Sequence, residues 1–541
     1  MPYINSVVFI PLDGGEKETR FEFTPPLSIY EIMVKTGISG DSFCGGNHNC
    51  GRCYVWVKGG TGDLLEDEKS LIKRIKDSSE GPDDKACELR LACFCVLTDD
   101  AVVYYAAADD GFELLEADAT PAKHPAGEIE FAAAIDIGTT TVELALFEAV
   151  SQKRVFYKRE ANTQRMYGAD VLSRIEWSNR NGKELQHHRI IEQTEKMLDE
   201  AARKLAVKSE NIKSVVVTGN TTMLHFFENL DPKGIGVSPF LPECLFGITK
   251  PARSAYRMLA EDAWLYLPPC VGPYIGADIS CGILAAELDR PGRIALLVDV
   301  GTNGEIALFD GSDIYCCSTA AGPAFEGGEI AMGMVAAAGA VDKVWYKDGE
   351  INYSVINGGS ASGVCGTGII SAVSALIEAG LVDSSGRITA GEGRLEDLVF
   401  ETGGQKAVYI AAGAVYMTQQ DIRNIQLAKA AVAAGIEALL YKTGITVCQV
   451  DSLYLCGGFG SGIQTDSAAA IGLLPRELAD KTIVMGNSAL AGAAMLLFSA
   501  ENKKRIEKIV KQSEELSLSA DAYFMERYVE NMSFSVSAGS V

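Results

Sequence analysis

The feature of this 541-residue sequence that most constrains its fold is a strand–turn–strand pattern that occurs twice. Residues 131–147 read FAAAIDIGTTTVELALF, residues 294–309 read IALLVDVGTNGEIALF, and Asp-x-Gly-Thr therefore recurs after 163 positions. In each copy an apolar strand leads into a tight polar turn and then into a second apolar strand. A weaker pair, VVVTGN at 215–220 and LYLCGG at 453–458, adds one further strand to each half. The repeat predicts a duplicated α/β fold with a cleft between its halves.

Both turns carry the groups that bind phosphate. Small turns of this kind present backbone N–H and hydroxyl groups to phosphate oxygens. The predicted nucleotide contacts are Gly138, Thr139, Thr140, Gly301, Thr302 and Asn303. Asp136 and Asp299, each at a strand end, can hold Mg²⁺ through water. Glu305, just after the second turn, is predicted to orient the attacking water as a general base.

A glycine-rich segment, LYLCGGFGSGI at 453–463, completes the predicted nucleotide site. Backbone without Cβ atoms can lie flat on adenine or ribose, which assigns Gly457, Gly458 and Gly460 to that part of the nucleotide. The alternative is a plain turn between a strand and a helix. Thr418 and Asp421 form a capping-box pattern that predicts the start of a long helix before this segment.

The amino-terminal residues contain a separate cluster of cysteines. Cys44, Cys50 and Cys53 have the spacing C-x5-C-x2-C, and Cys93 follows after 39 further residues. Plant-type [2Fe–2S] ferredoxins use C-x4-C-x2-C with a distant fourth cysteine, and the extra residue here resembles the adrenodoxin-like branch. Zinc is the alternative, although structural zinc sites usually show tight pairs of ligands. The four cysteines are therefore predicted to hold a [2Fe–2S] cluster. Cys93 is chosen as the fourth ligand because it follows Arg-Leu-Ala, as in ferredoxins of this type, and Cys87 and Cys95 are the alternatives.

Composition excludes several classes of protein. The formal net charge of −24 argues against a nucleic-acid surface, which needs clustered Lys and Arg. The first residues lack the pattern of a signal peptide, and no apolar run reaches the roughly 18 residues of a membrane span. The sequence thus predicts a cytoplasmic protein that binds neither nucleic acid nor membrane.

Residues 106–129 are rich in Ala, Asp, Pro and Gly, and are predicted to be a linker.

The motifs carry a family resemblance over nearly the whole chain. DIGTTT (136–141), DVGTNGE (299–305) and LCGGFGSG (455–462) resemble the two phosphate motifs and the adenosine motif of the acetate kinase, sugar kinase, Hsp70 and actin superfamily. A [2Fe–2S] domain ahead of such an ATPase resembles the reductive activators of corrinoid proteins. The implied architecture is a β-grasp ferredoxin-like α+β domain at 1–105, the linker at 106–129, and actin-like (ribonuclease-H-like) α/β ATPase subdomains at 130–290 and 291–541.

The resemblance implies an ATP-hydrolysing electron-transfer activator. Such a protein passes one electron from its [2Fe–2S] cluster to inactive Co(II) cobalamin and restores Co(I) in a methyltransferase system. The implied cofactors are the cluster, ATP and Mg²⁺; the implied partners are a corrinoid protein and an unidentified electron donor, and a homodimer is compatible with the superfamily. No Asp-x-His-x-x-Gly corrinoid signature is present, so the cobalamin belongs to the partner. Ser318, in STAAGPAFEGGE, is a candidate for facing the corrinoid; the alternative is a packing loop near the nucleotide.

Three other hypotheses remain open at the level of sequence. The first is an ATP-coupled electron injector like the activators of 2-hydroxyacyl-CoA dehydratases, for which Cys365 would be a bridging cluster ligand. The second is a small-molecule kinase with a regulatory redox domain. The third is a ferredoxin whose ATPase-like half only docks partners, against which the intact Asp136, Asp299 and Glu305 argue.

Overall fold

The computed structural model describes residues 5–12, 18–36, 38, 53–72, 82, 86–105, 129–391, 393–457 and 462–534. Contacts divide the chain into two compact units, one spanning residues 1–110 and 161–190, the other spanning residues 111–160 and 191–541. The predicted linker lies outside the described residues, except for residue 129. The described part of the chain contains no helix that is both long and apolar enough to cross a membrane.

The amino-terminal residues form a five-stranded mixed sheet with the order β2-β1-β7-β4-β5, in which only β1 and β7 are parallel neighbours. Alternate residues of β1, such as Val7 and Phe9, are fully buried, as expected for a strand with one face on a core. β1 and β2 pair as an antiparallel hairpin, and the short helix α1 follows them. The elements are β1 Asn5–Pro11, β2 Thr19–Phe23, β3 Leu27–Ser28, α1 Ile29–Thr36, β4 Tyr54–Lys58, α2 Glu66–Ile72, β5 Glu88–Leu91, β6 Val96–Leu97 and β7 Ala101–Tyr105.

A buried ion pair ties α2 to β5. Arg90 donates from Nε and Nη2 to the two carboxylate oxygens of Glu68 at 2.9 and 3.0 Å, and from Nη1 to the carbonyl of Gly62. Glu68 Oε1 also accepts the backbone N–H of Leu91 at 2.9 Å. Both side chains are almost completely excluded from solvent. Each of the two side chains is therefore the counter-charge of the other.

We therefore expect Glu68→Ala to destabilise this sheet by about 3–5 kcal/mol, because it leaves the Arg90 guanidinium buried without a counter-charge. Hydrogen exchange at the β5 amides measures the loss. The matched control is Glu66→Ala, since the ion pair of Glu66 with Lys69 is exposed and should contribute little. Equal protection of β5 in the two variants would contradict the expectation.

Strands between residues 131 and 267 form a six-stranded sheet with the order β10-β9-β8-β11-β13-β12. The first Asp-x-Gly-Thr sequence forms the predicted hairpin, β8 with β9, and β11 pairs in parallel with β8 on its other side. The elements are β8 Phe131–Ile137, β9 Thr141–Glu148, β10 Arg154–Ala161, α3 Val171–Asn181, α4 Glu184–Lys204, β11 Ile212–Gly219, α5 Thr221–Phe227, α6 Lys233–Gly236, β12 Ile248–Pro251, β13 Trp264–Leu267 and α7 Ala277–Ala285.

The carboxy-terminal segment contains a second six-stranded sheet, β24-β23-β14-β15-β16-β25, and two three-stranded sheets, β18-β17-β19 and β20-β21-β22. The elements up to the long helix are β14 Ala295–Val300, β15 Gly304–Phe309, β16 Ile314–Thr319, β17 Ala340–Lys347, β18 Glu350–Val355, β19 Gly363–Val364, α8 Gly366–Glu378, β20 Val399–Thr402, β21 Gln405–Ala411, β22 Val415–Thr418 and α9 Gln419–Thr443. The rest are β23 Ser452–Gly457, α10 Thr465–Ala470, β24 Thr482–Gly486, α11 Ser488–Phe498, α12 Ala500–Lys511, β25 Ser513–Glu515 and α13 Ala522–Glu530.

The long helix α9 starts where its sequence predicts. The Thr418 hydroxyl accepts the N–H of Asp421, and the Asp421 carboxylate accepts the N–H of Thr418, which is the reciprocal capping box. The helix ends at Gly444, which adopts φ 70°, a left-handed conformation that favours glycine. Most of its residues between these caps are buried, and α9 is therefore a central element of the carboxy-terminal core.

The two large sheets repeat one strand order. The order β10-β9-β8-β11-β13 in the first corresponds to β16-β15-β14-β23-β24 in the second, with a hairpin flanked by a parallel strand in both. Helices α7 and α11 bury apolar residues in one core that both sheets share. The predicted duplication is confirmed, and the weaker VVVTGN and LYLCGG pair occupies the equivalent strands β11 and β23.

Candidate functional site

The two Asp-x-Gly-Thr turns face one another. Each turn closes a hairpin in which the paired residues are Ile137 with Val142 in the first and Val300 with Gly304 in the second. The hydroxyl oxygens of Thr140 and Thr302 lie 3.2 Å apart. Both turns thus line one cleft, and the prediction of two opposed hairpins is confirmed.

Glycines at the ends of β11 and β23 allow the neighbouring strand to approach closely. Gly219 has φ 155°, and a Cβ atom there would stand 2.6 Å from the carbonyl oxygen of Ile137. Gly457 has φ 116°, and its Cβ would stand 2.3 Å from the carbonyl oxygen of Val300. The equivalent positions in the two halves therefore have the same constraint, and any larger residue would push the hairpin away from the cleft.

The first strand-end carboxylate, Asp136, has one satisfied and one unsatisfied oxygen. Asn487, the N-cap residue of α11, donates from Nδ2 to Asp136 Oδ2 at 2.8 Å. Asp136 Oδ1 is buried without a hydrogen-bond partner in the described part of the chain. Burial, and then the nearby charge of Glu143, raises the pKa of Asp136 well above its usual range. A buried acceptor without a partner is costly, and a hydrated cation would satisfy it.

The pKa values of the other carboxylates in the cleft are also raised, which favours their protonated forms. Burial, followed by the charge of Asp278, raises the pKa of Asp299 to about 7. Burial raises the pKa of Asp278 to about 6 and, with the charges of Asp278 and Asp299, raises that of Glu305 well above its usual value. These half-buried carboxylates repel one another, an arrangement that a divalent cation relieves.

Most of the predicted nucleotide contacts come together in this cleft. Its lining includes Asp136, Gly138, Thr139, Thr140, Asp299, Gly301, Thr302, Asn303, Glu305 and Gly457. Gly458 and Gly460 lie outside the described residues. No three His, Cys, Asp or Glu side chains of the described residues form a metal site by themselves.

Ser318, the candidate for facing the corrinoid, lies on β16 opposite Glu305 in the strand register. Its hydroxyl donates to Glu305 Oε1 at 3.3 Å. The residue is half-buried beside the acidic cleft. The structure thus places Ser318 next to the predicted general base, and its contact with a corrinoid stays a prediction.

Two of the four predicted cluster ligands are described, and they lie together. Cys53 comes directly before β4, and Cys93 lies in the turn after β5, at the same end of this antiparallel pair. Their Sγ atoms are 3.3 Å apart, and both residues are buried. This is longer than a disulfide bond of about 2.05 Å and close to the ~3.8 Å between thiolates on a tetrahedral metal. Cys44 and Cys50 lie outside the described residues.

Backbone hydrogen bonds fix the turn that carries Cys93. The N–H of Ala92 donates to the carbonyl of Cys53 at 2.7 Å, and those of Phe94 and Cys95 donate to Leu91. Cys95 is fully buried, and burial raises its pKa to about 12, so this residue keeps its thiol proton. Cys93, and not Cys95, is thus the residue of this turn beside Cys53.

Comparisons with known proteins agree with this geometry. Residues 131–291 match the model described as the RACo middle region, and residues 293–539 match the C-terminal domain of RACo, the ASKHA domain. The corrinoid activation enzyme RamQ of Eubacterium limosum is 32% identical over 415 residues, which cover 74% of this chain and 70% of that protein. The chain belongs to the RACo family.

Two further relatives support membership of the RACo family. The [Co(II) methylated amine-specific corrinoid protein] reductase of Methanosarcina barkeri is 23% identical over 436 residues, 74% of this chain and 76% of that protein. A solved structure, the reductive activator for corrinoid,iron-sulfur protein, superposes with a TM-score of 0.71 at 26% identity and covers 98% of each chain. The carboxy-terminal part of this RACo-family chain is thus an actin-like ASKHA domain.

Several cleft residues of this RACo-family chain carry no assignment from sequence. Asn220 donates from Nδ2 to the Thr139 hydroxyl at 3.0 Å, and Glu326 accepts hydrogen bonds from both turns. Asn487 donates to Asp136, and the charge of Asp278 raises the pKa of Asp299. Asn220 and Asn487 follow strands as helix N-caps, a pattern that could have drawn attention to them. Nothing local to Asp278 or Glu326 indicates a role.

Proposed function

We propose that this chain is an ATP-dependent reductive activator of a corrinoid protein. It binds Mg²⁺ and ATP between the two Asp-x-Gly-Thr turns and passes one electron to inactive Co(II) cobalamin on a partner, which restores Co(I). The observation that carries the proposal is the opposition of the two turns, with Thr140 and Thr302 in contact. The proposal is supported by the RACo-family relatives, which are named for corrinoid activation and corrinoid-protein reduction.

The amino-terminal sheet supports an electron-carrying domain of the β-grasp ferredoxin type. Its ligands would be Cys44, Cys50, Cys53 and Cys93, of which the last two are already close enough to share one metal ion. A [2Fe–2S] cluster at this site would supply one electron at a time. The chain's own contribution is to hold Cys93 in a hydrogen-bonded turn and to bury both sulfur atoms, which restricts water around the site.

In the nucleotide cleft each group has a separate proposed task. Asp136 and Asp299, each the penultimate residue of its strand, line the cleft and would hold Mg²⁺ there. The threonine hydroxyls and the turn N–H groups donate to phosphate oxygens. Glu305 is the proposed general base for the attacking water. Burial and the charges of Asp278 and Asp299 raise its pKa and favour its protonated form, so this role needs the nearby positive charge that Mg²⁺ would supply.

ATP is needed because the electron transfer is unfavourable without it. Each ~59 mV of mismatch between donor and acceptor is a tenfold bias against a one-electron transfer. Groups from both halves of the carboxy-terminal unit line the cleft, so a nucleotide that contacts both turns favours one arrangement of the halves. If the partner binds that arrangement more tightly, the bound nucleotide shifts the equilibrium towards reduction. Ser318, beside Glu305, is a candidate link between the cleft and the corrinoid.

The alternative of a 2-hydroxyacyl-CoA dehydratase type of injector receives less support from the geometry. Such a role would need Cys365 as a ligand that bridges two subunits. Cys365 is 2% exposed, and its sulfur lies 3.5 Å from the carbonyl oxygen of Val341 and 3.3 Å from the Thr367 hydroxyl. A sulfur in this position does not reach a subunit surface.

The test mixes the reconstituted protein with a corrinoid protein in the Co(II) state and a chemical reductant, with and without Mg²⁺ and ATP. We expect Co(I) absorbance to form only when nucleotide is present. A small-molecule kinase predicts instead that ATP is consumed with metabolites and no protein acceptor. Co(I) formation at equal rate and extent without ATP would contradict the proposed function.

A further inference from the structure

A glutamate outside the sequence motifs occupies the hydroxyl groups of both phosphate turns. Thr140 and Thr302 each donate to Glu326 Oε2, and each of these distances is 2.8 Å. The two hydroxyl oxygens are themselves 3.2 Å apart, so three oxygen atoms meet at one point. Glu326 belongs to the segment after β16, and it is a third element that connects the two halves of the cleft.

The same hydrogen atoms cannot serve Glu326 and a phosphate group at once. A hydroxyl has one proton to donate, and both threonine protons are directed at the carboxylate. A phosphate oxygen that used these donors would also stand within a few ångströms of the Glu326 charge, where like charges repel. Glu326 and the nucleotide phosphates therefore exclude each other from this position.

The backbone around Glu326 is fixed, whereas its side chain can turn away. Glu326 ends the 3-10 turn Pro323–Glu326, in which Ala324 and Phe325 are buried in the carboxy-terminal core. Beyond the turn, Asn424 of α9 donates to the carbonyl of Glu329 at 2.8 Å. The side chain of Glu326 is half-buried at the cleft, so rotation about its own bonds can release the threonines without unfolding the turn.

We propose that Glu326 competes with the nucleotide: its carboxylate links the two turns and lowers the affinity for ATP until phosphate displaces it. The inference rests on the proposed function, because it assumes that ATP binds in this cleft. Glu326 is a positioning residue in this account. Part of the nucleotide's binding energy is used to separate the Glu326 carboxylate from the two turns, and this lowers the affinity for ATP. Entry of the phosphates and release of Glu326 are then one event.

The first experiment measures the dissociation constant of Mg²⁺-ATP by calorimetric titration for the full chain and two variants. Glu326→Gln keeps the shape of the side chain but removes its charge, and we expect ATP to bind about tenfold more tightly. Glu329→Gln is the matched control, since Glu329 lies in the same loop with an exposed side chain, and its affinity should equal that of the wild type. A Glu326 with only a structural role would give equal or weaker binding in E326Q, which would overturn the proposal.

The second experiment tests the link between the turns without nucleotide. Glu326→Gln and Thr302→Val should each lower the melting temperature, and the double variant should lower it by less than the sum of the two changes, because both weaken the hydrogen bond between Thr302 and Glu326. Additive losses would contradict the link. If neither the wild type nor E326Q binds ATP, the proposed function fails as well. If the wild type binds ATP and E326Q binds it equally, only the competition fails.

Discussion

Asp299→Asn is expected to abolish ATP-dependent formation of Co(I), with a loss of at least about a hundredfold in rate. Asp299 is the penultimate residue of β14 and lines the cleft, where it is proposed to hold Mg²⁺. Metal-assisted stabilisation of phosphate charge contributes several kcal/mol, and each ~1.4 kcal/mol is a factor of ten. The measurement is the rate at which Co(I) absorbance increases at saturating ATP, compared with that rate without ATP.

Loss of activity by unfolding can be separated from loss of the metal ligand. Because the pKa of Asp299 is raised to about 7 in the folded chain, the ionised carboxylate costs stability at any pH above its unfolded pKa, near 3.8. A neutral Asn should therefore keep or raise the melting temperature at neutral pH. The control is Asp313→Asn, an exposed carboxylate in the turn between β15 and β16, which should retain full activity. Full ATP dependence in Asp299→Asn would show that this residue is not required.

Cys93→Ala is expected to remove the iron–sulfur cluster and all electron delivery, while ATP binding in the other unit persists. Cys93 Sγ lies 3.3 Å from Cys53 Sγ, and a [2Fe–2S] centre needs four sulfur ligands. Iron and acid-labile sulfide in the purified protein should fall more than about tenfold, together with the visible absorbance. Zinc in place of iron and sulfide in the wild type would contradict the predicted cofactor.

The matched control for this variant is two residues away. Cys95→Ala removes a thiol from the same turn, but one that is fully buried and, with a pKa near 12, stays protonated. We expect Cys95→Ala to keep its iron content and its electron transfer, with a modest loss of stability from the small cavity. If Cys95→Ala loses the cluster and Cys93→Ala keeps it, the assignment of the fourth ligand is reversed.

The parts of the fold that sequence predicts are those with local signals. The two hairpins, the start of α9 at Thr418 and the strand before Gly457 each depend on residues that are neighbours in the chain. Periodicity, turn residues and caps act over a few positions, and the structure follows them. The opposition of the hairpins was predicted as well, because the repeat implied two equivalent halves.

The parts that sequence does not predict depend on long-range contacts. Asn487 reaches Asp136 across 351 positions, and Glu326 lies 186 positions from Thr140. Asp278 acts on Asp299 through space, with no motif around it. A single sequence has no signal for which distant side chains meet, since that depends on how sheets and helices pack. The grouping of residues 161–190 with the amino-terminal residues is of the same kind, and the predicted domain boundaries stay a prediction.

The bond between Asn487 and Asp136 also has a consequence for biosynthesis. During translation the first turn leaves the ribosome hundreds of residues before the amide that supports its aspartate. The nascent chain can build the first sheet early, whereas α11, which packs on both β8 and β11, follows Asn487, which lies 351 positions after Asp136. Until α11 has been made, the pocket lacks the amide that supports Asp136, so ligand binding would distinguish nascent chains that contain α11 from those that do not.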